Sequence, residues 1–315
     1  MNRNQTLDIT RFIFSLFIIA IHTGLLKDFH ITAYHVCTMG MMRIAVPFFF
    51  MTSGYYFYQK IVTHQNTNRY LKRLFIIFLV FEMIEIIIRI PILITALQDQ
   101  TFGSYLWKMI SVGLSGVYWY LISLMLSLMI LRPFWRRKKV FLFLVIGLLL
   151  YVFAMTYDSY SVIFQGTQIQ SLAIWHTMIW TWPQAGLCSS LLFLSLGAIF
   201  YQYHPQVKHL YILLILSVIM LGGEAYCLQS MNPRDGNCYL SLILATPLLW
   251  LYIQQDYFHL FHFDTKKLAQ MSLFIYMVHP LVLYILRFFS FPHQSFLFLT
   301  TSLISLFMSY FLVKC

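Results

Sequence analysis

The segment Leu7 to His22 reads "LDITRFIFSLFIIAIH". It is apolar enough to lie in a membrane, yet it carries Arg11 near one end and His22 near the other. An ionisable group at mid-bilayer costs roughly 2.5 kcal/mol or more, so residues of this kind are as a rule functional or paired. Eleven residues at about 100° each advance a helix by only about 20° beyond three full turns. Arg11 and His22 therefore share one face, about 16 Å apart along the axis. Both can line one tunnel, with a guanidinium fork suited to phosphate at one mouth and an imidazole suited to proton transfer deeper in. The alternative is that Arg11 snorkels to the interface and His22 satisfies a carbonyl.

The rest of the chain extends this reading. Of the 315 residues, 60% are hydrophobic and only 10% charged, against about 25% charged in soluble domains. Mean hydropathy is +0.74. The fold class is therefore all-α, a polytopic membrane protein. Runs of about 20 apolar residues place ten helices, near 8–26, 36–58, 70–94, 116–132, 140–156, 183–202, 209–228, 238–254, 269–288 and 295–313. The first is read as a retained helix, because no small-residue cleavage site follows it. No linker or soluble domain interrupts the chain, which reads as a single membrane domain over 1–315.

A net charge of +11 raises the question of nucleic acid, but the basic residues alternate between loops. Lys60, Arg69, Lys72 and Arg73 follow the second helix, and "RPFWRRKK" (Arg132 to Lys139) follows the fourth. The intervening loops hold little more than Lys27, Lys108, Arg234 and Arg287. The positive-inside rule accounts for this pattern, places both termini in the cytoplasm and removes the case for nucleic acid. The five cysteines show no spacing of metal ligands.

Four motifs in order carry a family resemblance. "LDITRFIFSLFIIAIH" is similar to the arginine, ten residues, histidine signature of the acyltransferase-3 family of integral membrane acyltransferases. "RIAVPFFFMTSGYYFY" (Arg43 to Tyr58), "YWYL" (Tyr118 to Leu121) and "SLFIYMVHP" (Ser272 to Pro280) resemble its second-helix, fourth-helix and late His-Pro elements. Within the family, the chain most resembles the membrane half of the vancomycin-resistance serine racemases, without their racemase domain. Two positions depart from the pattern: Val117 stands where a histidine often precedes the fourth-helix Trp, and "WPQAGL" (Trp182 to Leu187) replaces an Arg-Asn-Gly sequence.

The resemblance implies transfer of an acyl group, commonly acetyl, from cytoplasmic acyl-CoA to a hydroxyl of a cell-surface glycan or other envelope molecule. It implies a multi-pass protein of a bacterial cytoplasmic membrane and no metal. His22 becomes the catalytic residue, as general base or as covalent acyl carrier. Arg11 and Arg43 become acyl-CoA phosphate ligands, although Arg43 can equally pair with an acid such as Asp8. Ser53, Trp119, Tyr120, Glu224 and His279 become acceptor-side candidates. Each has a plain structural alternative: helix packing for Ser53, bundle packing for Trp119 and Tyr120, solvation for Glu224, and a backbone hydrogen bond for His279. Glu224 ranks above Glu82 and Glu85, because Arg89 stands one turn beyond Glu85 as a ready partner. A different class also fits a polar intramembrane cavity: a transporter of a small polar molecule such as serine, with which the racemase membrane half is associated.

Overall fold

The computed structural model describes residues 4–98, 102–229, 236–255, 265–289, 291 and 293–314, which excludes Arg234. Among these residues all regular structure is helical. The chain falls into two compact units, residues 1–49 with 206–315, and residues 50–205.

The first unit opens with α1 (Gln5–Thr23). Asn4 caps it by accepting from the Leu7 amide at 2.7 Å, and Gly24, at φ 73°, ends it with its N–H on the Ala20 carbonyl. These are the start and stop signals a helix requires. The segment read as an uninterrupted second helix from residue 36 is irregular at first. A π turn (Tyr34–Thr38) and a 3-10 turn (Met41–Ile44) precede α2 (Ala45–Val62). Gly40 lies between these turns, where a Cβ would stand 2.5 Å from both the Val36 carbonyl oxygen and the Ala225 side chain, so only glycine fits the approach. Arg43 sits on the 3-10 turn. Four more helices complete this unit: α10 (Leu210–Leu228), α11 (Leu242–Gln254), α12 (Lys266–Leu286) and α13 (Gln294–Lys314). Ile19 of α1 packs on Met271 and Ile275 of α12, with Phe12, Leu16, Phe298 and Leu306 around them.

The second unit takes α2 from Phe50 onward, then α3 (Thr67–Ile88), α4 (Ile90–Gln98), α5 (Phe102–Val112), α6 (Trp119–Arg136), α7 (Val140–Met155), α8 (Gln168–Trp180) and α9 (Ser190–Tyr203). The predicted span 70–94 is broken at Arg89, where α3 gives way to α4 and Pro91 follows. The two long connections between the predicted spans, 95–117 and 157–182, contain α5 and α8.

Every segment expected to be helical contains helix. Among the described residues, five stretches are both long and apolar enough to cross a bilayer: Gln5–Thr23, Ile31–Val62, Leu210–Leu228, Lys266–Leu286 and Gln294–Lys314. Val140–Met155, Ser190–Tyr203 and Leu242–Gln254 are apolar but shorter. Exposed side chains along α10 and α13, among them Ile215, Ile219, Leu303 and Phe307, suit hydrocarbon rather than water.

Two glycines set the approach of α2 to α9. A Cβ on Gly54 would stand 2.1 Å from the Leu194 carbonyl oxygen, and one on Gly197 2.1 Å from that of Met51. Lipid gives apolar helices no solvent-driven reason to associate, so small residues that permit close packing carry the interface. Gly54→Ala is expected to force the helices apart and to cost about 1–3 kcal/mol. A lowered unfolding midpoint in detergent checks it, and an unchanged midpoint contradicts the close crossing.

Candidate functional site

His22 occupies the last turn of α1 and His279 lies fully buried in α12, immediately before Pro280. Their ring centroids are 5.5 Å apart with planes inclined at 32°, although 257 residues separate them in the chain. His279 Nδ1 lies 3.2 Å from the Ile275 carbonyl oxygen. A carbonyl only accepts, so this contact places the proton on Nδ1 and leaves Nε2 as an acceptor. His279 Nε2 is buried without a hydrogen-bond partner. A buried acceptor in that condition is expensive unless a ligand or neighbour uses it.

Eleven residues before His22 on the same continuous helix, Arg11 keeps a buried Nε with no hydrogen-bond partner. Asp8, one turn earlier, accepts from the Thr265 hydroxyl at 2.8 Å. Arg43 donates to the side-chain oxygen of Asn237, and its Nη2 lies 3.7 Å from the Met39 sulfur. Of the two partners open to Arg43, the acid Asp8 is engaged by Thr265, and Arg43 meets a neutral amide. Arg43 and Arg287 both act electrostatically on His22, and Arg287 Nη2 donates to the His22 carbonyl at 3.3 Å. The sequence reading grouped Arg43 with Arg11; the irregular turn at Met41–Ile44 that carries Arg43 packs on α1, within electrostatic reach of His22.

Glu224, read from sequence as an acid without a neighbouring charge, is engaged. Its carboxylate accepts from the amides of Leu240 (2.7 Å) and Ser241 (2.8 Å) and from the Ser241 hydroxyl. It thereby serves the unsatisfied N–H groups at the start of α11, where a negative charge is favoured. Glu224→Ala should lower stability by about 1–3 kcal/mol. The unfolding midpoint reads this loss, whereas a loss of activity at full stability would return Glu224 to the acceptor side.

The remaining candidates belong to the second unit. Trp119 begins α6 and Tyr120 follows it, with ring centroids 6.3 Å and 4.6 Å from that of Phe50. Ser53, one turn beyond Phe50 on α2, precedes the Gly54 crossing. In the same unit Glu85 binds Arg89 at 2.5 Å, as the spacing predicted. Glu82 accepts the Leu114 amide at 2.7 Å, which ties α3 to the loop leading into Trp119. Burial, then the Arg89 charge, holds the Lys108 ammonium below the ordinary lysine range.

Asn237 and Arg287 are the residues that sequence reasoning passed over as site members. Arg287 lies 265 positions from His22, and no periodicity within one helix reports a neighbour on another.

The described residues thus form a helical membrane protein in which the His22 and His279 rings meet at one end of α1, with Arg11 three turns away on the same helix. The chain belongs to the acyltransferase-3 family, whose acyltransferase domain matches residues 4–313. Among curated proteins it is similar to a serine/alanine racemase of Enterococcus gallinarum, with 27% identity over 88% of this chain and 40% of the relative. It is also similar to an amino-acid racemase of Enterococcus faecalis, with 24% identity over 91% of this chain and 42% of the relative. The chain thus spans about two fifths of the length of these relatives. No solved structure is a significant match.

Proposed function

We propose that the protein transfers an acyl group, commonly acetyl, from cytoplasmic acyl-CoA to a hydroxyl of an envelope molecule such as a surface glycan. The observation that carries this reading is the His22–His279 pair, set on the helix whose opposite end holds the unpartnered Nε of Arg11. With both termini in the cytoplasm, Arg11 faces the donor side. Its planar fork holds a CoA phosphate, and the extended pantetheine arm covers the order of 16 Å to His22.

There the imidazole of His22 removes the proton from the acceptor hydroxyl. The hydroxyl oxygen attacks the thioester carbonyl, and the tetrahedral intermediate expels the CoA sulfur, which takes the proton from His22. The charge of Arg43 favours the oxyanion that develops at this step. His279 Nε2 offers the acceptor lone pair that orients either the His22 N–H or the incoming hydroxyl. The same atoms serve a covalent route in which a His22 nitrogen carries the acyl group between donor and acceptor.

A second reading, serine transport, is favoured by the buried Glu82 and Glu85 with the half-buried Arg89 and Lys108 in the second unit, since intramembrane charges also mark transport pathways. Purified protein in liposomes separates the two. Release of CoA from acetyl-CoA that depends on a hydroxyl acceptor supports acyl transfer. Serine uptake without acyl-CoA, and no CoA release, supports transport.

A further inference from the structure

Arg287 follows α12 directly and is exposed. Its contact with the His22 carbonyl is the one side-chain hydrogen bond it makes among the described residues. A guanidinium presents five donors in a planar fork, so most of this one's capacity is unspent. Such a contact can cap the end of α1, as basic side chains do at helix C-termini. Capping alone, however, leaves the charge around the reacting group unexplained.

Among the described residues, the ionisable groups acting electrostatically on His22 are His279, Arg43 and Arg287, with no carboxylate among them. Asp28, the nearest acid in sequence, accepts from the Gln294 amide, and Glu224 accepts from the start of α11. If His22 takes a proton from the acceptor, a third positive charge forms beside two arginines. Like charges disfavour that step. The donor's phosphates at Arg11 are about 16 Å away, so their attraction at the His22 end is weaker than that of an anion in contact with it. An anion bound at the His22 end offsets the repulsion before reaction begins, whereas a neutral acceptor brings negative charge only as the oxyanion at Arg43 develops.

We infer that the acceptor is an anionic hydroxyl compound, whose carboxylate or phosphate seats on the fork of Arg287 while its hydroxyl meets His22. This assignment rests on the acyl-transfer reading. The anionic group takes no part in bond making. The new bond joins the hydroxyl oxygen to the acyl carbon, the thioester C–S bond breaks, and the proton passes through His22 to the CoA sulfur.

The test uses purified protein in detergent, labelled acetyl-CoA, and three probes that share a hydroxyl but differ in charge: glycerate, glycerol 3-phosphate and glycerol. Transfer to one of the anions is expected to exceed transfer to glycerol about tenfold or more in kcat/KM, the scale of a charge-assisted fork. Whether glycerate or glycerol 3-phosphate leads tells carboxylate from phosphate. Arg287→Gln keeps an amide donor for the His22 carbonyl and loses the charge. It should raise KM for the favoured anion far more than for glycerol, and collapse the preference toward unity. Arg287→Lys should restore part of it.

Equal use of glycerol and both anions by the wild type overturns the inference, as does an undiminished preference in Arg287→Gln, the result a simple cap predicts. Calorimetric binding of the same probes without acyl-CoA keeps the two proposals separable. Anion binding that Arg287→Gln abolishes, with no acyl transfer to any probe, defeats the enzyme reading and retains the anion site. Absence of anion binding together with transfer to glycerol does the reverse.

Discussion

His22→Ala is expected to lower acyl transfer from acetyl-CoA by at least 10²-fold while leaving the protein folded. Loss of a positioned general base typically costs 10²- to 10⁴-fold, and loss of a covalent carrier removes the route altogether. The structural contribution of this imidazole is small by comparison. His22 lies in the last turn of α1, and the helix end is held by Gly24 on the Ala20 carbonyl and by the Thr38 hydroxyl on the Leu25 carbonyl. Neither contact involves the ring. A turnover assay paired with an unfolding midpoint checks the expectation. Unchanged turnover sinks the chemical role, and a large drop in stability would assign the ring to packing against His279.

Arg11→Lys is expected to weaken acyl-CoA binding by about ten- to a hundredfold, with little effect on the stability of α1. Lysine keeps the charge but loses the planar pair of donors that meets a phosphate, and a hydrogen bond to a charged group contributes about 1.5–3 kcal/mol. The buried, unpartnered Nε of Arg11 is the specific donor at stake. His22→Ala serves as the control, because its site stands three turns away on the same helix and should leave CoA affinity nearly intact. Titration of both variants with CoA in detergent reads the division of labour directly. If His22→Ala loses affinity and Arg11→Lys retains it, the phosphate is held elsewhere, and Arg43 beside His22 is then the first residue to examine.

The helical membrane class and the common face of Arg11 and His22 were legible in the chain itself. Both depend on local periodicity: apolar runs of bilayer length, and eleven residues that return a helix to nearly the same azimuth. The Glu85–Arg89 pair was legible for the same reason, being one turn apart on one helix. The break of the third predicted helix at Arg89 was signalled by Pro91, and the helices hidden in the two long connections were not, since they are short and mixed in polarity.

What the chain alone did not determine are the relations between helices. His279 was legible as a candidate, but its pairing with His22 was not. Arg43 looked like a partner for phosphate or for Asp8, and its contact with Asn237 from a 3-10 turn packed on α1 was not legible. Glu224 looked unengaged because its partners are backbone amides sixteen and seventeen residues on, which no side-chain pattern reveals. Arg287 read as one loop charge among several until the fold set it on the His22 carbonyl. In each case the deciding contact joins residues far apart in the chain, and its energy depends on the packing of one helix against another rather than on the sequence of either.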